Sequence, residues 1–320
     1  MHFINNRKIF YTISSSLILL SVVVFFFAPK NLGIDMTGGL QIEYTAQTMP
    51  TEEQLADVKK QILDTYLFEG KKVLSDVNVY PVNASAIRAD IGLNAESDKQ
   101  KSEDRTADIR TRVPQIFQDN NIAVTESSFI SVGQSFGKFV IDRAYLTLVI
   151  CCIGIALYVM FAFRKSIEGL PSSVFGGITL VTLLHDVTIA PAIYFLLSIP
   201  FPFLKIDTFF VTAILTILGY SINDTIVILD RVRAEYHDRK SSDKRSDKQV
   251  FEDSVQVSLW RSILTSMTLT LVLIAMLFFG PEALYGFVTL MLLGTLVGTY
   301  SSIMIAAPLV YDIKMLRNKK

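Results

Sequence analysis

Asn223 and Asp224 stand side by side in GYSINDTIVILDRVR, residues Gly219 to Arg233, within a run otherwise apolar enough for a membrane helix. A charge at mid-bilayer costs at least a few kcal/mol, so such a residue normally faces a protein interior or a wet cavity. Tyr220 and Ser221 lie four and three residues before Asp224 and share its helix face, while Asn223 and Thr225 widen the polar zone. Lipid cannot hydrogen-bond such a face. A carboxylate within it, about 15 residues from the outer start of its span and so roughly 22 Å deep, could load and unload a proton.

Other chemistry-bearing residues also sit in or beside apolar runs. Arg261 opens the span in SVQVSLWRSILTSMTLTLVL at the same level, followed by Ser262, Thr265, Ser266 and Thr268. It reads either as an inward-reaching partner of Asp224, switching the carboxylate between ionised and protonated forms, or as a snorkelling anchor beside Trp260. His185 and Asp186 are adjacent in GGITLVTLLHDVTIAPAIY. One imidazole and one carboxylate are too few ligands for zinc. The pair reads either as a hydrogen-bonded structural element or as part of a proton relay, histidine being the side chain that titrates near neutral pH. Asp35, Gly38 and Gly39 in GIDMTGGLQIEY form a tight turn or hinge between a membrane helix and a strand, with glycine supplying positive φ.

Several chemistries find no residues to carry them. No G-x-x-x-x-G-K-[ST] provides an ATP site, and no G-x-S-x-G or H-E-x-x-H provides a hydrolase centre. The two cysteines, Cys151 and Cys152, are adjacent in an apolar run and read as packing residues, with no disulfide framework or zinc-ligand spacing. The formal net charge is zero and no basic stripe is interleaved with aromatics, so nucleic acid is not an expected partner. Neither a catalytic residue, a metal nor a cofactor is expected.

These residues need membrane helices to position them. The chain is 51% hydrophobic, with a mean hydropathy of +0.42. Six runs of about 17 to 25 apolar residues could cross a bilayer. The first has an apolar core from Ile9 to Ala28, too long for a signal peptide and without a cleavage site, and reads as a retained span. The others run roughly Val140 to Phe163, Ser172 to Ser198, Thr208 to Leu229, Ser262 to Phe279 and Leu284 to Val310. Arg7, Lys8, Arg164, Lys165, the stretch Arg231 to Lys248, and Lys314, Arg317, Lys319 and Lys320 fall on one side; the opposite short loops, SIPFPFLKID and GPEALYG, hold a single lysine. The positive-inside rule then puts both termini in the cytoplasm. The charged stretch DRVRAEYHDRKSSDKRSDKQVFEDS reads as a solvated loop or frayed helix end.

Residues 30–138 lie between the first two spans. LQIEYTA alternates as a half-buried strand, and TEEQLADVKKQILDTYLF carries apolar residues at helical spacing behind a Thr-x-Glu start. KVLSDVNVYPV and ASAIRADIGL read as strands, SDKQKSEDRTADIRTRVPQIF as a helix, and NIAVTESSFISV as a closing strand. The order is βαββαβ, a ferredoxin-like α+β domain. The expected organisation is 1–29 for the N-terminus and first span, 30–138 for the extracytoplasmic domain, 139–310 for the other five spans with a charged cytoplasmic loop at 230–260, and 311–320 for a cytoplasmic tail.

LGIDMTGG, LLHD, AILTILGYSINDTIVILDRVR, SLWRSILTSMTLT and GTYSSIMIAAPLV together resemble the SecF family of bacterial inner-membrane export subunits. The likeness covers all six spans and is densest from Ala213 to Pro308. Met36 and Gln134 stand where that family commonly has Phe and Pro. The resemblance implies a six-helix half of resistance-nodulation-division type, paired with SecD beside the SecYEG translocon, with YajC-like and YidC-like proteins as accessory partners. It also implies that Asp224 and Arg261 belong to a proton path coupled to passage of unfolded secretory polypeptide, sodium being the alternative ion. Rival readings are a small-molecule or lipid efflux transporter of the same superfamily, which should carry larger or paired outer domains, and a non-conducting scaffold, in which Asp224 would be dispensable.

Overall fold

The structure, a computed structural model, describes residues 3–68, 71–72, 74–93, 99–164, 170–238 and 245–318. Lys165, Lys319, Lys320, the middle of the charged loop at 239–244, and the first two residues of the segment read as a second outer helix lie outside the described residues. The chain begins with α1 (Arg7–Phe27), the one-turn α2 (Ile34–Thr37), β1 (Gly39–Ala46), α3 (Glu52–Thr65) and the short pair β2 (Leu67–Phe68) and β3 (Lys71–Lys72). It continues through β4 (Leu74–Pro81), β5 (Ala86–Leu93), α4 (Lys99–Asp119) and β6 (Val124–Val132). Then come α5 (Gln134–Ala162), α6 (Ser172–Leu197), α7 (Thr208–His237), α8 (Asp247–Phe279), α9 (Tyr285–Ser301), a π turn at Ser302–Ala306 and α10 (Ala307–Asn318). Among the described residues six helical stretches are long and apolar enough to cross a membrane. Two compact units result, a helical one of Met1–Lys30, Tyr145–Leu204 and Phe209–Lys320, and an α+β one of Asn31–Ala144 with Lys205–Thr208.

In the α+β unit four antiparallel strands lie in the order β4-β5-β1-β6. Alternation along β1 and β5 sends Leu40, Ile42, Tyr44, Ile87, Ala89 and Ile91 into a core with Leu55, Val58 and Ile62 of α3 and Ile109, Val113 and Phe117 of α4. Thr51 starts α3 with a reciprocal capping box: its hydroxyl accepts the Gln54 N–H and its own N–H donates to the Gln54 side chain. Gly38 (φ 76°) and Gly39 (φ 143°) turn the chain into β1, and a Cβ on Gly39 would sit 2.4 Å from the Ile91 carbonyl oxygen, so only glycine fits there.

The alternate positions on β1 and β5 are polar. Asp90 is buried and accepts from Gln41 Nε2 and from the Tyr80 hydroxyl, each at 2.8 Å, while Arg88 pairs with Glu43 at 2.9 Å. Burial pushes the Tyr80 phenol up to about 12, so it stays a donor. Residues 205–208, between α6 and α7, close over this polar set. The Ile206 N–H donates to Asn31 O (2.8 Å), the Gly33 N–H to Ile206 O (2.9 Å), and the Thr208 hydroxyl to the Asp35 carboxylate (2.7 Å). The buried Lys205 ammonium touches the Asp90 carboxylate and lies 5.0 Å from the Tyr80 ring centroid. Burial and the Arg88 guanidinium pull Lys205 down to about 7 against the carboxylates of Asp207, Asp76 and Asp35.

In the helical unit α9 packs on α6 and α8, and α1 on α6. Hydrocarbon offers no hydrophobic gain for joining helices, so contact depends on close packing and small residues. Gly294 and Gly298, four apart on α9, supply it: a Cβ on Gly294 would lie 2.3 Å from Ile217 Cδ1 and one on Gly298 3.0 Å from Ser221 Cβ.

Several helices run beyond their apolar cores. The fifth span, expected from Ser262, belongs to a helix that starts at Asp247, because Ser246 and Gln249 form a second capping box. The described part of the stretch read as a solvated loop or frayed end is mostly helix, held by Arg231–Glu235 (2.6 Å) and by Arg245 bridging Glu235 (3.4 Å) and Asp253 (3.1 Å). The sixth span is interrupted by the π turn, which apolar periodicity does not reveal.

Replacing Lys205 with Ala leaves the Asp90 carboxylate buried without its cation and should destabilise the α+β unit by about 3 kcal/mol. Hydrogen exchange at the β5 amides reads this loss, and the double variant Lys205→Ala/Asp90→Ala should lose less than the sum of the two single changes.

Candidate functional site

Asp186 has no exposed surface and lies midway along α6, where its donors come from protein. The Ser221 hydroxyl of α7 and the Ser301 hydroxyl of α9 (2.9 Å) both meet its Oδ2, and His185 Nδ1 lies 2.9 Å from its Oδ1. His185 Nε2 is 3.2 Å from Ser14 Oγ on α1, and Ser14 is in turn hydrogen-bonded to the Tyr300 hydroxyl of α9. Each contact has a local origin. Ser221 reaches Asp186 from the helix surface that Gly298 packs against, and Ser301 follows Gly298 by three residues, its hydroxyl also 3.1 Å from the Gly298 carbonyl.

Asp224 sits one turn beyond Ser221 on α7 and is 2% exposed. Its setting is looser. Ser266 Oγ of α8 approaches Oδ2 at 3.3 Å and Thr299 Oγ1 of α9 at 3.5 Å, both long for O–H···O bonds. The two hydroxyls bond each other at 2.5 Å. Next door, Thr225 and Ser302 hydroxyls meet at 2.8 Å, and the Ser302 hydroxyl also lies 2.9 Å from the Gly298 carbonyl. The site is therefore two carboxylates separated by a seam of hydroxyls from α7 and α9, one held tightly and one loosely.

The residues singled out in the sequence divide accordingly. His185 and Asp186 meet in one cluster and Asp224 anchors the neighbouring one. Asn223 is exposed on the flank of α7 next to Asp224, and Arg261 is exposed on α8 with no side-chain hydrogen bond or ion pair to a described residue. Arg261 does not touch Asp224 in this chain; Ser266, five residues on, does. Asp35, Gly38 and Gly39 lie in the α+β unit, where Asp35 accepts the Thr208 hydroxyl. Sequence reasoning missed Ser14, Thr299, Tyr300, Ser301 and Ser302 as polar partners. The available signal was the Gly-x-x-x-Gly of 294–298 immediately before Thr-Tyr-Ser-Ser, a close-packing face running into four hydroxyls.

The sequence profile described as Protein export membrane protein SecD/SecF, C-terminal, matches residues 112–316. Protein translocase subunit SecF of Endomicrobium trichonymphae is 30% identical over 319 residues, covering 99% of this chain and 93% of that protein. Protein translocase subunit SecF of Calditerrivibrio nitroreducens is 30% identical over 320 residues, covering 99% and 95%. Among solved structures, that of SecDF, a translocon-associated membrane protein from Thermus thermophilus, matches 98% of this chain with a TM-score of 0.77 and 26% identity. This chain spans 39% of the length of the SecDF chain.

Gly294→Val would drive a branched side chain into Ile217 and part α7 from α9, at a cost of about 2 kcal/mol from overpacking. The thermal midpoint of the purified chain should fall, and adding Ile217→Ala should recover part of it.

Proposed function

The chain belongs to the SecD/SecF family of protein export membrane proteins, and from that premise we propose that it couples ion flow through the membrane to the late passage of secreted polypeptide, with Asp224 taking up and releasing the ion. One observation carries this reading. A carboxylate is buried midway along a spanning helix, and its nearest hydroxyls stand 3.3 and 3.5 Å away. The donors around Asp186 stand closer, the Ser301 hydroxyl at 2.9 Å. Loose ligands allow gain and loss of a proton without dismantling the packing around it.

Asn223 and Arg261 extend the argument beyond one chain. Polar groups exposed on spanning helices call for cover that lipid does not give. A SecD-type subunit covers them in this reading, the six helices forming one half of a resistance-nodulation-division arrangement in which Arg261 acts on the shared carboxylate site. His185 and Asp186 form a second station of the relay. The strand and helix order of the α+β unit supports a ferredoxin-like domain that meets the unfolded polypeptide outside the cytoplasm, with Asp35, Gly38 and Gly39 at its hinge. Lysine and arginine placement supports cytoplasmic termini in a bacterial inner membrane. SecYEG, with YajC-like and YidC-like proteins, completes the expected assembly. Protons are the proposed coupling ion and sodium the alternative; no nucleotide is required.

The deciding experiment places the full chain, its SecD-type partner and the channel in liposomes under an imposed proton gradient. Asp224→Asn should lower gradient-driven translocation to the level seen without a gradient, and Arg261→Gln should act in the same direction. Translocation of Asp224→Asn at undiminished speed sinks the reading, and a response to a sodium gradient alone reassigns the ion.

A further inference from the structure

The Asp224 reading leaves the second carboxylate without a stated outlet. Asp186 could be satisfied by the hydroxyls of Ser221 and Ser301, yet His185 also sits against it, almost fully buried. The far side of that imidazole is informative. The Asp186 carboxylate lies on Nδ1 and leaves Nε2 to pair elsewhere. Here Nε2 faces the Ser14 hydroxyl at 3.2 Å, and Ser14 faces the Tyr300 hydroxyl. A hydroxyl donates and accepts, so every link after Asp186 can carry either polarity with its heavy atoms unmoved.

We infer that His185, Ser14 and Tyr300 form the inward limb of the ion path, carrying protons from Asp186 toward the N-terminal end of α1. This rests on the reading of Asp224 as the coupling site. Ser221, which holds Asp186, stands one turn before Asp224 on α7, and the hydroxyls of Thr225, next to Asp224 in sequence, and of Ser302, on α9's continuation, meet at 2.8 Å. On the other side Tyr11 stands one turn before Ser14 on α1, about 4.5 Å along its axis. The Tyr11 hydroxyl donates to Asp312 at 3.1 Å, and Asp312 pairs with Arg7 at 2.7 Å, both part-exposed. Polar groups thus continue from the middle of α6 to the charged end of α1. Among the described residues the titratable groups hydrogen-bonded into the cluster are Asp186 and His185 of α6 and Tyr300 of α9, joined by hydroxyls of Ser14 on α1, Ser221 on α7 and Ser301 on α9.

The transfer balances. A proton on Asp186 Oδ1 passes to His185 Nδ1 as the Nε2 proton passes to Ser14 Oγ. Ser14 gives its own hydroxyl proton to Tyr300, and Tyr300 gives its proton to a water molecule at its part-exposed edge. One proton enters as a carboxylic acid, one leaves as hydronium, and a carboxylate remains. The wire ends with its polarity reversed, and rotation of the two hydroxyls and of the imidazole ring resets it.

The test uses the full chain with its SecD-type partner in liposomes, with a pH-sensitive dye reporting proton movement. Tyr300→Phe keeps the ring that lies 5.9 Å from the imidazole but removes the relay hydroxyl. Ser14→Ala removes the preceding link. Each should slow proton movement by roughly tenfold or more while partner binding and thermal midpoint stay at wild-type values; His185→Gln, which keeps hydrogen-bonding atoms but not the two-nitrogen ring, should slow it as well. If Asp224→Asn stops the flow while Tyr300→Phe and Ser14→Ala conduct at the wild-type rate, the inward limb is wrong and the Asp224 reading survives. A loss of flow that only tracks a lowered thermal midpoint makes the cluster structural and also overturns the limb. Absence of any Asp224-dependent proton movement in the wild type overturns both.

Discussion

A carboxylate with no exposed surface, halfway along an apolar helix, has to find its hydrogen-bond donors in neighbouring helices, and Asp186 fixes this helical unit by that demand. Ser221 and Ser301 reach one of its oxygens from α7 and α9, and His185 serves the other while passing the connection to Ser14 on α1. Four helices are therefore registered on one side chain. The small residues follow from the same demand, since α9 presents its hydroxyls to α7 only because Gly294 and Gly298 have no Cβ to hold the backbones apart.

Asp224 shows what changes when that demand is relaxed. It lies one turn away on α7, equally enclosed, yet its hydroxyl neighbours stand at the outer limit of hydrogen bonding and satisfy each other instead. Two acids of the same type thus have different parts. The tightly bound one is linked, directly or through His185, to three other helices, and the loosely bound one has its nearest hydroxyls at 3.3 and 3.5 Å. Asn223 beside it on α7 and Arg261 on α8 are both exposed.

The apolar spans were legible in the sequence because hydrocarbon thickness enforces their length, and the α+β strands because a half-buried strand alternates. Asp224 and the His185–Asp186 pair stood out by the cost of their position. The partners did not. Ser and Thr are ordinary residues of membrane helices, and nothing in their spacing says which helix they will face; Ser14 is one serine of three in a row. The azimuth of Arg261 was equally hidden, because it follows from how Ser262 and Ser266 are turned inward. Lys205, counted in the sequence only as the single lysine of a short outer loop, is a buried strap on Asp90, since its pairing depends on a strand more than a hundred residues away. The capping box at Ser246 was readable and was overshadowed by the surrounding charge.

The wide turn at Ser302–Ala306 takes one more residue than an α-helical turn would, and a residue of α-helix amounts to about 100° of rotation. The hydroxyls of Thr299 to Ser302 and the buried trio Val310, Tyr311 and Lys314 therefore meet their neighbours in a phase relation that an uninterrupted helix could not provide. Length in this stretch acts as an angular dial. A single-residue insertion or deletion between 302 and 306 would swing one set of contacts out of alignment while leaving composition and hydropathy almost untouched, a lesion that a profile of apolarity would pass over in silence.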